Sequence, residues 1–192
     1  MHLLGHLLLF LVWVQIVVVG AMALEIQIRP ASERDVATAR TILLKQAMNP
    51  LAVKQERLLV ANVVKSDDTT MSAGEIALAG FGQIRPVDEN YAELASLYVM
   101  PGYRRKGIAT MLISKLLEQY DAAAEATKQR RMVCLLTLRP TAPLYEPHGF
   151  RVIPKQEMPK ALQFEYAAGS FISAVLGNDL ICMLRPNLSA PL

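Results

Sequence analysis

Residues 98–109 read Tyr-Val-Met-Pro-Gly-Tyr-Arg-Arg-Lys-Gly-Ile-Ala, a strand end, a Pro-Gly turn and a glycine-bearing helix start within twelve positions. At a helix N-terminus several backbone N–H groups lack partners, and the helix dipole adds about half a positive charge, so an anion is favoured there. Gly107 and Ala109 carry little or no side chain, which lets a phosphate approach the backbone. Arg104, Arg105 and Lys106 add cationic reach. A pyrophosphate suits such a turn. Spacing alone also allows a solvated, basic helix start with no ligand.

Downstream of Gly107 the texture has a helical period: Ile108, Met111, Leu112, Lys115, Leu116 and Gln119 form a stripe with polar edges, predicting a helix to about Ala124. Met132 to Leu138 is a continuous apolar run, expected to be a central strand. Strand, crossover helix and strand imply one parallel pair. Upstream, Leu24 to Arg29 alternates like a half-buried strand. Ser32 and Asp35 have capping-box spacing and open a helix through about Met48, stopped by Asn49-Pro50. Strands follow over Leu58–Lys65, Glu75–Arg85 and Tyr91–Val99, with a polar turn or short disordered loop at Ser66–Thr70. Beyond the central strand come a short helix from Ala142 to Pro147, a strand over Phe150–Ile153, a helix over Gln163–Leu176 and a strand over Leu180–Leu184. The fold class expected is mixed α/β: a mostly antiparallel sheet with one parallel pair, flanked by helices.

The chain has 192 residues, enough for one domain with a real core. The division expected is an apolar leader over 1–23, a domain over 24–186 and a tail over 187–192. The hydrophobic fraction is 53%, and much of the excess precedes Leu24. From Leu3 to Leu24 there is no formal charge, a length that spans a bilayer as a helix. A membrane anchor, a cleaved signal peptide ending near Ala21-Met22-Ala23 and a translation start that really lies at Met22 remain open readings. A net charge of +3 does not argue for nucleic acid, and the short basic clusters lack an aromatic platform. Cys134 and Cys182 fall in apolar runs and read as reduced core thiols. No metal-ligand spacing is present, and none is expected to be needed.

Here a resemblance enters. The stretch Leu97 to Ala109 resembles the Arg/Gln-x-x-Gly-x-Gly/Ala signature of the GNAT superfamily of N-acetyltransferases, with Arg104, Gly107 and Ala109 at the defining positions. A second block, with Ala142, Leu144, Tyr145, Gly149 and Phe150, is similar to the family's other hallmark. The resemblance runs from about Ile26 to Arg185 and implies acetyl-CoA as cosubstrate, without a metal. It implies that Leu97 and Val99 offer backbone groups to the pantetheine arm, and that Arg105, Lys106, Gly107, Ile108, Ala109 and Thr110 wrap the pyrophosphate. In this family the strands beside that arm splay apart.

Acetyl transfer to an amine requires a neutral nucleophile, a stabilised oxyanion and a proton for the departing thiolate. Tyr145 suits the acid, since that motif position often donates in the family; packing alone is the other reading. Glu93 is the candidate base, with a family precedent at the matching strand position. Strand alternation puts it on the same face as Ala95 and Leu97, and a solvated charge is its bland alternative. One departure is Arg139, where the second hallmark often carries an asparagine. Another is the apolar insertion from Met158 to Asn178, which either roofs the acceptor pocket with Phe164, Tyr166 and Phe171 or packs as a core or dimerising helix. The function implied is acetyl transfer to a primary amine of a small molecule or protein. A non-catalytic CoA-binding sensor or interaction module is the alternative. A cytoplasmic or organellar setting follows from the supply of acetyl-CoA, with an anchored form keeping the domain on the acetyl-CoA side, as monomer or homodimer.

Overall fold

Seven strands form one sheet in the order β1-β2-β3-β4-β5-β7-β6. The computed structural model describes residues 25–64, 76–175 and 177–186. The strands are β1 (Glu25–Pro30), β2 (Leu58–Val64), β3 (Ile76–Pro86), β4 (Tyr91–Val99), β5 (Met132–Leu138), β6 (Arg151–Ile153) and β7 (Leu180–Arg185). Every neighbouring pair is antiparallel except β4 and β5. That parallel pair is joined by a crossover helix, as the pattern of strand, helix and strand requires. The expected mixed sheet is present. The leader, the loop at 66–70, Leu176 and the tail lie outside the described residues, as do the side chains of 171–175 within the last helix.

Helix α1 (Glu33–Lys45) starts on the expected capping box: Ser32 Oγ accepts from the Asp35 amide, and the Asp35 carboxylate accepts from the Ser32 amide at 2.8 Å. Its Val36, Ala39 and Leu43 pack on Leu58, Val60 and Phe81 of the sheet. Helix α2 (Ile108–Thr127) buries Ile108, Leu112, Ile113, Leu116 and Leu117. These pack with Leu59 and Ala61, which alternate with Leu58 and Val60 along β2, so α1 and α2 cover opposite faces. Helix α3 (Gln163–Val175) lies on the α1 face, because its Glu165 reaches Arg85, which shares a side of β3 with Phe81. Tyr166 of α3 joins Leu162, Met158, Cys134 and Cys182 in a third cluster. Both cysteines are buried, free thiols.

Two details depart from the sequence reading. The segment expected as a short helix over Ala142–Pro147 is instead two tight 3₁₀ turns, Arg139–Leu144 and Glu146–His148. Pro143 and Pro147 lack the N–H that an α-helical turn would use, so the chain closes shorter loops. Leu97 does not share a face with Glu93. The register of β4 against β3 shifts between the pairs Phe81↔Tyr98 and Gln83↔Ala95, and Ser96 adopts φ +57°. This extra residue is a β-bulge, which turns everything beyond it to the opposite face. Ala95 stays with Glu93 beside α1, while Leu97 packs into the α2 core.

Candidate active site

The β4–β5 ladder has three residue pairs: Tyr91↔Met132, Ala92↔Val133 and Glu93↔Cys134. Past them β4 continues to Val99 and β5 to Leu138, with no pairing between the two. The bulge at Ser96 supplies the cause, since a bulge bends its strand and increases its twist. A wedge-shaped cleft therefore opens between two parallel strands. Leu97 and Val99 lie along the β4 side of it, where backbone groups face no partner strand.

The turn at the end of β4 leads into α2 through two left-handed residues, Arg105 at φ +62° and Gly107 at φ +77°. Gly107 is the N-cap of α2, which has neither a side-chain cap nor an acidic residue in its first turn. The amides of Ile108, Ala109 and Thr110 thus keep their donors free of intrahelical acceptors. A Cβ built on Gly107 meets no atom within 4 Å, so the room above the helix start is open to a phosphate. Arg104, Arg105 and Lys106 are exposed there. Arg104 spends its Nε on the Val99 carbonyl at 3.1 Å and lays its guanidinium over the Tyr98 ring. That contact fastens the turn to the strand end. Lys106 lies over the Tyr103 ring. The residues present fit a CoA: uncapped amides and cations for a pyrophosphate, then an unpaired strand for an amide-bearing arm.

On the α1 face at the apex of the cleft, Glu93 is only 5% exposed. Its Oε2 accepts from Arg85 Nε at 2.8 Å, and Arg85 in turn donates to both carboxylate oxygens of Glu165 at 2.9 and 2.8 Å. Asn49 Nδ2 also donates to Glu165 at 3.1 Å. Burial pushes the Glu93 carboxyl up to about 7; Arg85 opposes the shift and Glu165 adds to it. Sequence reading missed Arg85 and Glu165. The first was within reach, because a hairpin turning at 87–90 pairs Arg85 directly with Glu93. The second was not, since Glu165 sits in the insertion, remote along the chain.

Tyr145 lies on the other face, in the α2 core, with its ring edge-on to Phe150. Burial raises its phenol above the ordinary range, and a hydrogen bond with the Thr137 side chain pulls it back. Thr137 Oγ1 meets Thr141 Oγ1 at 2.6 Å, and Thr141 donates to the Leu138 carbonyl at 2.6 Å. A Thr137 hydrogen bond that pulls the phenol's pKa down is one that favours the phenolate form. Glu93 and Tyr145 are thus on opposite faces of the sheet, either side of the β4–β5 seam. Arg139 follows β5 directly and pairs with Asp179 at 3.3 Å. Phe164, expected as pocket lining, is 83% exposed, whereas Tyr166 packs against the sheet. Among the described residues no cluster of His, Cys, Asp or Glu would hold a metal, and no helix is long and apolar enough to cross a membrane.

Comparison with known proteins agrees with this geometry. A family model described as an acetyltransferase (GNAT) domain matches residues 54–152. No curated protein matches the chain. Among solved structures, N-acetylglutamate synthase from Neisseria gonorrhoeae, complexed with coenzyme A and N-acetyl-glutamate, superimposes with a TM-score of 0.53 at 16% identity. The match covers 84% of this chain and 35% of that one, so the chain spans about a third of that relative. Rv2747 from Mycobacterium tuberculosis, in complex with CoA, gives 0.51 at 18% identity, over 81% of this chain and 97% of that one. A GNAT-family acetyltransferase from Staphylococcus aureus Mu50 gives 0.52 at 14%, over 84% and 98%. Likenesses at such identity carry the fold alone. The family match takes in just over half of the chain, including the cleft, the turn at Arg104–Ala109 and Tyr145, and by it the chain belongs to the GNAT superfamily of acetyl-CoA-dependent acetyltransferases.

Proposed function

We propose that this protein transfers the acetyl group of acetyl-CoA to a primary amine of a small molecule or protein, by direct attack in the β4–β5 cleft. The observation that carries the reading is the cleft itself, open past three rungs and ending at an uncapped helix N-terminus. When bound there, acetyl-CoA supplies the activated thioester. The backbone of Leu97 and Val99 orients the arm, and the segment from Arg104 to Thr110 holds the pyrophosphate through amides and cations. Contacts to these distant parts of the donor hold the thioester in place for attack.

Glu93 takes the proton from the incoming ammonium, directly or through water. A carboxyl with a pKa near 7 is matched to that task at neutral pH. Tyr145 gives its proton to the leaving sulfur. The Thr137 hydroxyl supports this role, because its hydrogen bond favours the phenolate left when the proton has gone. The position of Glu93 and Tyr145 on opposite faces supports separate routes for the two protons.

The test is release of free CoA from acetyl-CoA in the presence of an amine panel, read with the mass shift of the acceptor. Gly107→Glu puts a carboxylate against the pyrophosphate, and like charges at close range in a partly dry site weaken binding by about a hundredfold or more. Titration of CoA by calorimetry checks this. A variant that binds CoA as tightly as the parent would remove the donor-site assignment.

A further inference from the structure

A cavity of about 260 Å³ lies on the α1 and α3 face at the far end of β5. Its floor includes Ile153, Leu180 and Cys182, Tyr166 of α3 forms one wall, and Arg139 and Lys155 stand at its edge. Among the described residues that line it there are two cations and no carboxylate. Lys155 Nζ lies 5.5 Å from the centre of the Tyr166 ring, and among the described residues no carboxylate pairs with it. Arg139 meets Asp179, but through an exposed contact of 3.3 Å, the kind of pair that contributes little and exchanges readily with water. An apolar floor with two cations in the lining suits a small organic anion.

Its place relative to the cleft gives it a purpose. Leu138 pairs with Leu180 and Leu136 with Cys182, so β5 alone, about 5 Å in width, separates the cavity floor from the open part of the cleft. Glu93 is on this same face, whereas the α2 N-terminus belongs to the opposite face. The donor's phosphates and this cavity are therefore on different sides of the sheet. The insertion from Met158 to Asn178 supplies Tyr166 to its wall, and Arg139 is the residue standing where the family's hallmark often has asparagine.

We propose that this cavity binds a carboxylate carried by the acceptor, which makes the substrate a small amine with an anionic far end, such as an ω-amino carboxylate, and makes Lys155 and Arg139 its recognition residues. The proposal rests on acetyl transfer taking place in the β4–β5 cleft. The amine enters the cleft while the carboxylate stays across β5, so selection is by length as well as by charge. Asp179 competes for Arg139 when no acceptor is present.

The experiment compares an ω-amino carboxylate with the amide of the same chain length. Two readouts are used: kcat/KM for acetyl transfer, and thermal stabilisation of the CoA-loaded protein by the corresponding N-acetylated products. The second does not depend on turnover. A charge-assisted contact should favour the carboxylate by about tenfold or more in both. Lys155→Gln and Arg139→Gln, both at exposed positions, should each bring the ratio toward one, and Asp179→Asn should raise it. Equal stabilisation by carboxylate and amide products, or a ratio unmoved by the two cation variants, overturns the proposal. So does a loss of CoA affinity in those variants, which would assign the cavity to the donor. Failure to release CoA with any amine, alongside a preserved carboxylate preference in stabilisation, would instead strike the acetyl-transfer reading.

Discussion

Glu93 binds a proton more tightly in the folded chain than outside it, because burial raises its carboxyl from the ordinary 4.5 to about 7 while Arg85 offsets part of the shift. Between those values the native state holds more protons than the unfolded one, so stability falls as pH rises. The contribution is full below about 4.5 and gone above about 7. Thermal unfolding followed across this window should show the decline in the parent and a flatter curve in Glu93→Gln. Glu165→Gln tests the neighbour. Removing its charge lets Arg85 act on Glu93 alone, which lowers the Glu93 pKa, so the acidic limb of the pH–rate profile should move to lower pH. Glu93 was legible as a candidate because it stands on a strand next to the donor turn. Its chemistry was not, because that depends on Arg85 across the hairpin and on Glu165 from a distant helix.

At the scale of elements, β4 departs from its own periodicity, and the departure shapes the cleft. Alternation read from sequence put Leu97 beside Glu93; one inserted residue at Ser96 reverses that. No residue type at the position announces it, since serine is not the residue that a positive φ favours. The opposite strand shows how closely β3 and β4 are fitted. A Cβ on Gly80 would meet the Tyr98 carbonyl oxygen at 2.8 Å, a backbone atom that cannot turn aside. Gly80→Ala should therefore destabilise the protein by about 1–3 kcal/mol, as overpacking does. Its CoA affinity should fall as well, because β4 is displaced where it lines the cleft; denaturant unfolding and calorimetry measure the two effects. Helix α2, by contrast, was readable almost to its ends from its apolar stripe, and the capping box of α1 from two residues. After β5 the sequence suggests one short helix, and Pro143 and Pro147 tighten it into 3₁₀ turns.

Across the whole molecule the mixed sheet and its one parallel pair followed from a single strand, helix and strand pattern, with the meander before it set by polar turns. What sequence order does not display is how unevenly that sheet is joined. The strands on one side, β1 to β4, and on the other, β5 to β7, share three rungs of direct pairing. Further links include the α2 core, the third cluster, where Val87 and Tyr91 meet Cys134, and the reach of Glu165 to Arg85 and Asn49. The sheet is like a zip left partly undone, and a molecule with amides along its length can close it. Amide hydrogen exchange should slow on both lips of the cleft, over 95–99 and 135–138, when CoA is added, and much less at the β1–β2 pair. The donor then serves for a time as a strut between the two halves, and the protein stiffens each time it is loaded and slackens each time it lets go.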